Sequence, residues 1–100
     1  MLNLSKIEGF EWDEGNIQKN WLKHSVYYKE CEEIFTNVPL LLVRDTKHSQ
    51  NEKRFFGLGY TNTNRFLFIV FTLRKNNIRV ISARSMNKKE QIIYEQAKKI

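Results

Sequence analysis

The chain has 100 residues, a length that holds one domain with one hydrophobic core, so residues 1–100 are predicted to form a single unit. Hydrophobic residues make up 41% of it and Gly and Pro are few, which argues against an intrinsically disordered protein. The net charge is +6, but residues 1–50 carry −2 and residues 51–100 carry +8. A strongly basic second half predicts a polyanionic partner.

The sequence also argues against several kinds of site and location. The single cysteine, Cys31, rules out an internal disulfide and a paired-cysteine zinc site, and we interpret it as a small buried apolar residue. The first residues contain no long apolar run, so no signal peptide is expected. The longest apolar run, residues 66–71, is too short to span a bilayer. We therefore expect a cytoplasmic protein with no membrane partner.

The first helix is predicted directly after a short candidate strand at residues 7–12. Asp13 is a good N-cap because its carboxylate can accept a backbone N–H of the first helical turn, and this predicts a helix over residues 14–24. Helical spacing of apolar residues predicts which side of this helix faces inward. The residues on that side are Ile17, Trp21 and His24.

A second helix is predicted over residues 28–35, with Cys31 among its inward residues. It ends before Pro39, because proline cannot continue a helix and restrains the residue before it.

Four strands follow in quick succession, at residues 40–44, 54–60, 66–73 and 78–84. The third of these is apolar on both faces, which is typical of a central strand. The connections at residues 61–64 and 75–77 are short and rich in Asn, which tolerates the positive φ of hairpin turns. Short connections predict a mainly antiparallel sheet.

A last helix is predicted to begin at Asn87, because Glu90 stands three residues later in the capping-box position. Its predicted apolar stripe consists of Ile93, Ala97 and Ile100. The predicted fold is therefore of the α+β class. It has two N-terminal helices, a four-stranded mainly antiparallel sheet and a C-terminal helix.

Several motifs, in order and at matching spacing, resemble those of the BrnT toxin family. The motifs are Phe10-Glu11-Trp12-Asp13-Glu14, Asn20, Lys23-His24, Ile34-Phe35, Asp45-Thr46-Lys47-His48, Glu52-Lys53-Arg54, Gly59, Arg79-Val80-Ile81-Ser82-Ala83-Arg84, Glu90 and Tyr94. They extend over about residues 10–97, and residues 1–9 look like an N-terminal extension. The chain departs from the family at Ser25, where Gly is usual, and at Ser85-Met86, where Lys-Ala is typical.

The resemblance implies a RelE-like fold and a ribonuclease of a type II toxin–antitoxin pair that arrests translation. It also implies a small partner, the antitoxin BrnA, which neutralises the toxin. The complex of the two is expected to contact DNA only through the antitoxin.

Metal-independent RNA cleavage needs a base for the 2′-OH proton, cations for the charge that develops on the phosphorus, and an acid for the leaving oxygen. Side chains of these types are present, and no carboxylate pattern suggests a two-metal site, so we expect no metal and no cofactor. The candidate catalytic residues are Arg79, Arg84, Glu52, Arg54 and His24.

Arg79 is the first candidate for phosphate stabilisation, with a structural ion pair as the alternative. In a regular strand Arg79 and Arg84 point to opposite faces, so both serve one site only if the strand bulges or bends near Ser82. Arg84 could equally anchor the closing helix.

The remaining candidates have equally ordinary structural alternatives. Glu52 and Arg54 share a face of the strand. Glu52 could act as the base while Arg54 binds phosphate, or both could pair with other charges across the sheet. His24 ends a helix, where the dipole favours the protonated form, so it is an acid, a phosphate ligand or a cap. The candidate RNA-binding residues are Lys23, His48, Lys88 and Lys89. The alternative for them is simple solvation.

Two other functions remain open from the sequence. A non-catalytic nucleic-acid-binding module would also use the basic half of the chain. A degenerate toxin kept as a co-repressor with its antitoxin is compatible with Ser85-Met86, where the family has a basic residue.

Overall fold

A computed structural model describes residues 4–47 and 52–99 of the chain. A one-turn 3₁₀ helix at Leu4–Lys6 precedes the main elements. The strands are β1 (Gly9–Phe10), β2 (Leu41–Asp45), β3 (Arg54–Tyr60), β4 (Phe66–Arg74) and β5 (Asn77–Ser85), and the helices are α1 (Glu14–His24), α2 (Tyr28–Glu33) and α3 (Lys88–Lys98). Within these residues, none of the helices is long and apolar enough to cross a membrane.

The α+β class is confirmed, but the prediction of four strands is wrong. The described sheet has five strands in the order β1-β5-β4-β3-β2. β1 pairs parallel with β5, through Gly9 with Asn77 and Phe10 with Ile78, and the other three pairings are antiparallel. The fifth strand, β1, lies within the short candidate strand predicted at residues 7–12, which the four-stranded prediction does not include in the sheet.

Helices α1 and α2 cover one side of the sheet. The core between them and the sheet contains Val26, Cys31, Ile34, Phe55, Leu67, Ile69, Phe71, Ile78, Val80 and Ala83. Alternate residues of β3 and β4 are buried there, as period-2 patterning requires. The expectation that Cys31 is buried is confirmed, and burial raises the pKa of its thiol to about 12.

Asp13 caps α1 as predicted, its Oδ1 accepting from the Asn16 N–H at 2.8 Å. The inward face of α1 is more polar than predicted, because the helix covers the free edge of β5. Asn16 and Lys19 donate to the Val80 and Ile81 carbonyls at 3.0 and 2.6 Å. Trp21, predicted to face inward, is 54% exposed, and His24 is exposed as well, so the prediction is wrong for both residues.

Asn20 is the one α1 residue that is fully buried within the described chain. Its Oδ1 accepts from the Ala83 N–H at 3.2 Å, while its Nδ2 has no partner among the described residues. An amide is needed here because the backbone N–H of β5 would otherwise be buried without an acceptor.

Helix α2 ends at Glu33, two residues before the predicted end, and Phe35 lies in the following turn while still packing on the core. Helix α3 has the predicted capping box of Asn87 and Glu90. Its buried residue is Tyr94, whose hydroxyl donates to the Pro39 carbonyl at 2.6 Å.

The predicted apolar stripe of α3 is wrong at its start. Ile93 is 46% exposed, and the ring that packs against Phe66 of the sheet belongs to Tyr94. The third predicted member, Ile100, lies outside the described residues.

A β-bulge interrupts the pairing of β4 with β5. Val70 pairs with Ser82 and Phe71 pairs with Val80, so Ile81 is an extra residue without a partner on β4. The extra residue shifts the alternation of β5 by one, and Ile78, Val80 and Ala83 are consequently the residues buried in the core.

Candidate functional site

The bulge at Ile81 brings the two candidate arginines of β5 to one side of the sheet. Arg79 pairs with Thr72 and Arg84 pairs with Phe68, and those two β4 residues are four positions apart and therefore share a face. This is the side opposite α1 and α2, and we call it the open face. The condition under which Arg79 and Arg84 can share a face is thus met.

Arg54 joins Arg79 in one cross-strand row of the open face. Arg54 pairs with Thr72 on β4, which in turn pairs with Arg79 on β5. The two arginines flank Thr72, which is buried and donates its hydroxyl proton to the Lys53 carbonyl at 2.7 Å. Because neighbouring strands lie about 4.8 Å apart, the two Cα atoms are separated by about 10 Å.

Arg79 is held by two carboxylates at the start of α1. Its Nη1 donates to Glu11 Oε1 at 3.3 Å and its Nη2 to Asp13 Oδ2 at 2.6 Å, with 20% of the side chain exposed. The Asn16 N–H and then the Arg79 guanidinium lower the pKa of Asp13. The ion pair considered as the alternative for Arg79 is present, and it uses two of the five guanidinium N–H donors.

Glu52 pairs with Arg74 rather than with Arg54. Arg74 Nη2 donates to Glu52 Oε1 at 3.0 Å, and Arg74 Nη1 also reaches Glu11 at 3.5 Å. The Arg74 hydrogen bond is the main reason that the pKa of Glu52 is lowered, with a smaller contribution from the charge of Arg79. Glu52 is therefore a carboxylate stabilised by its ion pair, and the lowered pKa makes it a weaker base than a glutamate without a partner.

Arg84 lies at the other end of the open face and contacts α3. Its Nη1 and Nη2 donate to the two carboxylate oxygens of Glu90 at 2.8 and 2.9 Å. Its guanidinium carbon lies 4.2 Å from the ring centroid of Phe68, a cation–π contact. The Arg84 hydrogen bond is the main cause of the lowered pKa of Glu90. Arg84 thus has the contacts expected of an anchor for the closing helix.

His24 ends α1 close to the same end of the sheet. Its carbonyl accepts from Arg65 Nη2 at 3.2 Å, and the same nitrogen donates to Ser85 Oγ at 3.2 Å. Ser85 directly follows Arg84, and its own carbonyl accepts from Arg84 Nη1 at 3.1 Å. His24 and Arg84 are therefore linked through Arg65 and Ser85.

Three of the candidate RNA-binding residues are exposed lysines. Lys23 stands beside His24 on α1. Lys88 and Lys89 are the first two residues of α3 and directly precede Glu90. Within the described part of the chain their ammonium groups make no hydrogen bond or ion pair. The fourth candidate, His48, lies outside the described residues.

The candidate residues therefore form two groups. The strand-row cluster contains Glu52, Arg54, Arg74 and Arg79. The helix-end cluster contains His24, Arg65, Arg84 and Ser85, with the three lysines nearby. The pairing positions of Arg79 and Arg84 on β4 are four residues apart, a separation of about 13 Å at about 3.3 Å per residue.

Arg65 and Arg74 belong to these groups but were not among the sequence candidates. Arg65 directly precedes the first residue of β4, and Arg74 is the last residue of that strand. The only signal in the sequence was this position at a strand boundary. It is a weak signal, because an arginine at a strand end is commonly just a solvated charge. Their partners come from elements distant in sequence.

The described residues contain no group of three His, Cys, Asp or Glu side chains that could hold a metal ion. The groups that could act chemically are guanidinium and ammonium cations together with the Glu52 carboxylate and the His24 imidazole. Such a set can bind phosphate and move a proton.

A family model described as "Ribonuclease toxin, BrnT, of type II toxin-antitoxin system" matches residues 12–90. The chain belongs to the BrnT family. This BrnT-family chain is thus a ribonuclease toxin of a type II toxin–antitoxin system, as the sequence resemblance implied.

A solved structure with a similar fold is the 1.1 Å crystal structure of the Brucella abortus ribonuclease toxin BrnT. The TM-score is 0.57 at 20% identity, and the match covers 80% of this chain and 97% of the Brucella chain. At that identity the comparison establishes the shared fold. Among curated proteins, none has a sequence that matches this BrnT-family toxin.

Proposed function

We propose that this toxin is a metal-independent endoribonuclease that acts in the cytoplasm, arrests translation and is neutralised by a small BrnA-like antitoxin. The observation that carries the proposal is the bulge at Ile81, which aligns Arg79 and Arg84 with Arg54 on the open face. A strand arginine on the open face is a fixed guanidinium, and its planar fork matches the oxygen geometry of a phosphate.

In this proposal the reacting phosphate binds at the strand-row cluster. Arg79 stabilises the charge that develops on the phosphorane oxygens, and Arg54, across Thr72, contributes a second cation. Glu52 removes the 2′-OH proton, and its pairing with Arg74 holds the carboxylate in place at the cluster.

The separation of about 13 Å along β4 implies a different task for the helix-end cluster. Arg84 and His24, with Lys23, Lys88 and Lys89, then bind further phosphates of the same RNA strand. The leaving 5′-oxygen is bonded to the phosphorus held by Arg79, so in this proposal solvent water at the strand-row cluster, rather than His24, supplies its proton.

The first test is incubation of purified protein with labelled RNA in EDTA, comparing wild type with Arg79→Ala. The matched control is Arg44→Ala, which removes the same charge from an exposed residue of β2. Cleavage by wild type and by the control but not by Arg79→Ala supports the proposal. Equal cleavage by Arg79→Ala contradicts the assignment of Arg79, and cleavage that requires added Mg²⁺ contradicts metal independence.

The chemistry of the proposed attack has its own test. A substrate with a single 2′-deoxy nucleotide at the cleavage position lacks the nucleophile and should stay intact at that bond. Cleavage there at the normal rate would show that water, rather than the 2′-OH, attacks the phosphorus.

The antitoxin and translation parts of the proposal need cells or extracts. Induction of the toxin should arrest protein synthesis, and co-expression of a small protein encoded beside it should restore growth. Arrest without RNA cleavage would contradict the proposed ribonuclease mechanism.

The alternative function is a non-catalytic RNA-binding or co-repressor module. The bidentate pair of Arg84 with Glu90 favours it, because this pair gives Arg84 a structural task in anchoring α3. Salt-sensitive RNA binding without any product would support this alternative.

A further inference from the structure

Arg65 joins three elements at the helix-end cluster, and nothing in the proposed mechanism yet uses it. Its Nη1 donates to the Ser25 carbonyl at 2.7 Å and to Glu30 at 3.2 Å. Its Nη2 donates to the His24 carbonyl and to Ser85 Oγ, both at 3.2 Å. The end of α1, the first turn of α2 and the end of β5 are thus connected by one guanidinium.

The end of α1 needs these donors. Ser25 has a left-handed backbone, with φ 53°, so the chain turns away from the helix axis at this position. The last carbonyls of a helix have no partner inside the helix, and a cation near them is favourable. By binding the His24 and Ser25 carbonyls, Arg65 fixes the direction in which His24 leaves the helix.

The main chain of Arg65 is itself fixed by Thr61, which is fully buried. Thr61 Oγ1 accepts from the Arg65 N–H at 3.0 Å, and the Thr61 N–H donates to the Arg65 carbonyl at 2.9 Å. Arg65 is therefore held at its main chain by the turn that precedes β4 and at its guanidinium by the acceptors.

The same guanidinium reaches Arg84 through Ser85. Arg65 Nη2 binds the Ser85 hydroxyl, and Arg84 Nη1 binds the Ser85 carbonyl at 3.1 Å. A continuous path of hydrogen bonds therefore runs from His24 to Arg84. Asn16, Lys19 and Asn20 already hold the body of α1 on β5, and Arg65 adds the contact that ties the last residue of the helix, His24, to the end of the strand.

Arg65 has the contacts of a positioning group. It forms an ion pair with Glu30 at 3.2 Å, and 29% of its side chain is exposed. Lys23, beside His24, is by contrast exposed and has no side-chain partner among the described residues. Lys23 is therefore available to phosphate, while Arg65 itself is engaged inside the protein.

We propose that Arg65 is a positioning residue that sets His24 relative to Arg84, so that the helix-end cluster binds successive phosphates of an RNA strand. This inference deepens the proposed function and rests on it. RNA binding at the helix-end cluster, unlike cleavage, needs no reaction at the strand-row cluster, so the two can be tested separately.

The test uses a 2′-O-methyl RNA oligonucleotide, whose blocked 2′-oxygen prevents cleavage by 2′-OH attack. Binding is measured for wild type, for Arg65→Met and for the matched control Arg44→Met, an exposed arginine on β2. We expect Arg65→Met to weaken binding at least fivefold beyond the effect of the control. Arg65→Lys should not restore binding, because one ammonium cannot reach four acceptors.

A spectroscopic readout separates positioning from general loss of stability. The chain has two histidines, so the imidazole signals of His24 can be assigned by NMR and followed. We expect Arg65→Met to move the His24 signals. The control variant Arg44→Met should leave them in place.

Ser85→Ala is the second variant, in case Arg65→Met does not fold. It removes the bond between Arg65 and β5 at an exposed residue, and we expect weaker binding together with a shift of the His24 signals. The inference is overturned if a folded Arg65→Met, or Ser85→Ala in its place, binds within twofold of wild type with unchanged His24 signals. It is also overturned if wild type does not bind the oligonucleotide.

Failure of the proposed function has a different signature. A wild type that binds the oligonucleotide but leaves ordinary RNA intact contradicts the ribonuclease mechanism and supports the role of Arg65 if the variants weaken binding.

Discussion

Arg79 and Arg84 lie on the same side of β5 although an odd number of positions separates them. The extra residue of the bulge, Ile81, has no partner on β4 and turns the strand so that alternation begins again after it. Without it one of the two guanidinium groups would point into the apolar core beneath α1. The bulge is therefore what makes an arginine-bearing open face compatible with a buried opposite face.

Replacing Glu90 by Gln should lower the free energy of unfolding by about 1 kcal/mol at pH 7, because the charge-assisted pair with Arg84 is lost while the capping geometry is kept. Urea denaturation measures the change. Glu95→Gln is the control, since its pair with Lys98 is exposed and spaced at 3.7 Å. Equal stability of Glu90→Gln and the control would show that the pair contributes nothing.

The contribution of Glu90 should also depend on pH. Its pKa in the folded protein is lowered, chiefly by the Arg84 hydrogen bond, so its stabilisation is present above the unfolded value. The difference in unfolding free energy between wild type and Glu90→Gln should therefore be full at neutral pH. It should shrink as the pH falls below about 4, near the ordinary pKa of a glutamate. A difference that grows on acidification would contradict the assigned sign.

Asn20→Ala should destabilise the protein by about 1–3 kcal/mol, because the Ala83 N–H would lose its buried acceptor. Chemical denaturation of Gln18→Ala serves as the control. Gln18 lies two positions away on the same helix and is exposed, and its long hydrogen bond to Glu14 at 3.4 Å should be worth about 0.5 kcal/mol or less. A cost of Asn20→Ala no larger than that of the control would mean that water replaces the amide.

Two glycines should respond to alanine with opposite signs. A Cβ at Gly59 would come within 2.9 Å of Ile34 Cβ and 3.2 Å of Leu40 Cδ1, so Gly59→Ala should cost about 1–3 kcal/mol. A Cβ at Gly15, in the first turn of α1, meets only Asp13 Oδ1 at 3.4 Å. Gly15→Ala should therefore stabilise by about 0.5–1 kcal/mol. Thermal unfolding of both variants checks the sign, and stabilisation by Gly59→Ala would contradict the close packing of α2 on β3.

The double variant Lys88→Gln/Lys89→Gln should bind RNA with a weaker dependence on salt. Each phosphate contact that is lost removes about 0.7 from the slope of log K against log salt for a single strand. The control Lys6→Gln/Lys75→Gln removes the same charge from exposed lysines of the N-terminal turn and the β4–β5 hairpin. Equal slopes for the two double variants would assign Lys88 and Lys89 to general solvation.

Local signals predicted most of the secondary structure. Asp13 and the pair of Asn87 with Glu90 marked the beginnings of α1 and α3, and both caps are present. Strand β3 has the predicted bounds, and the other main strands differ from prediction by one residue at one or both ends. These signals work because a cap or a strand period depends on neighbouring residues.

The misassigned residues share one cause. Trp21, His24 and Ile93 were assigned inward from helical spacing, yet all three are exposed. The inward positions belong instead to Asn20, which supplies an acceptor to β5, and to Tyr94, whose hydroxyl reaches the Pro39 carbonyl. A polar side chain can be buried when a distant backbone group satisfies it, and helical spacing carries no information about that partner.

The sequence by itself determined the α+β class, the basic half of the chain and the family to which the toxin belongs, because these follow from composition, periodicity and ordered motifs. Tertiary structure alone decided which charges meet. The unpaired Ile81 placed Arg79 with Arg84 on the open face, and Arg65 linked His24 to Ser85 at the end of β5. Ion pairs and cross-strand rows join residues far apart in the sequence, and only the folded backbone sets their distances.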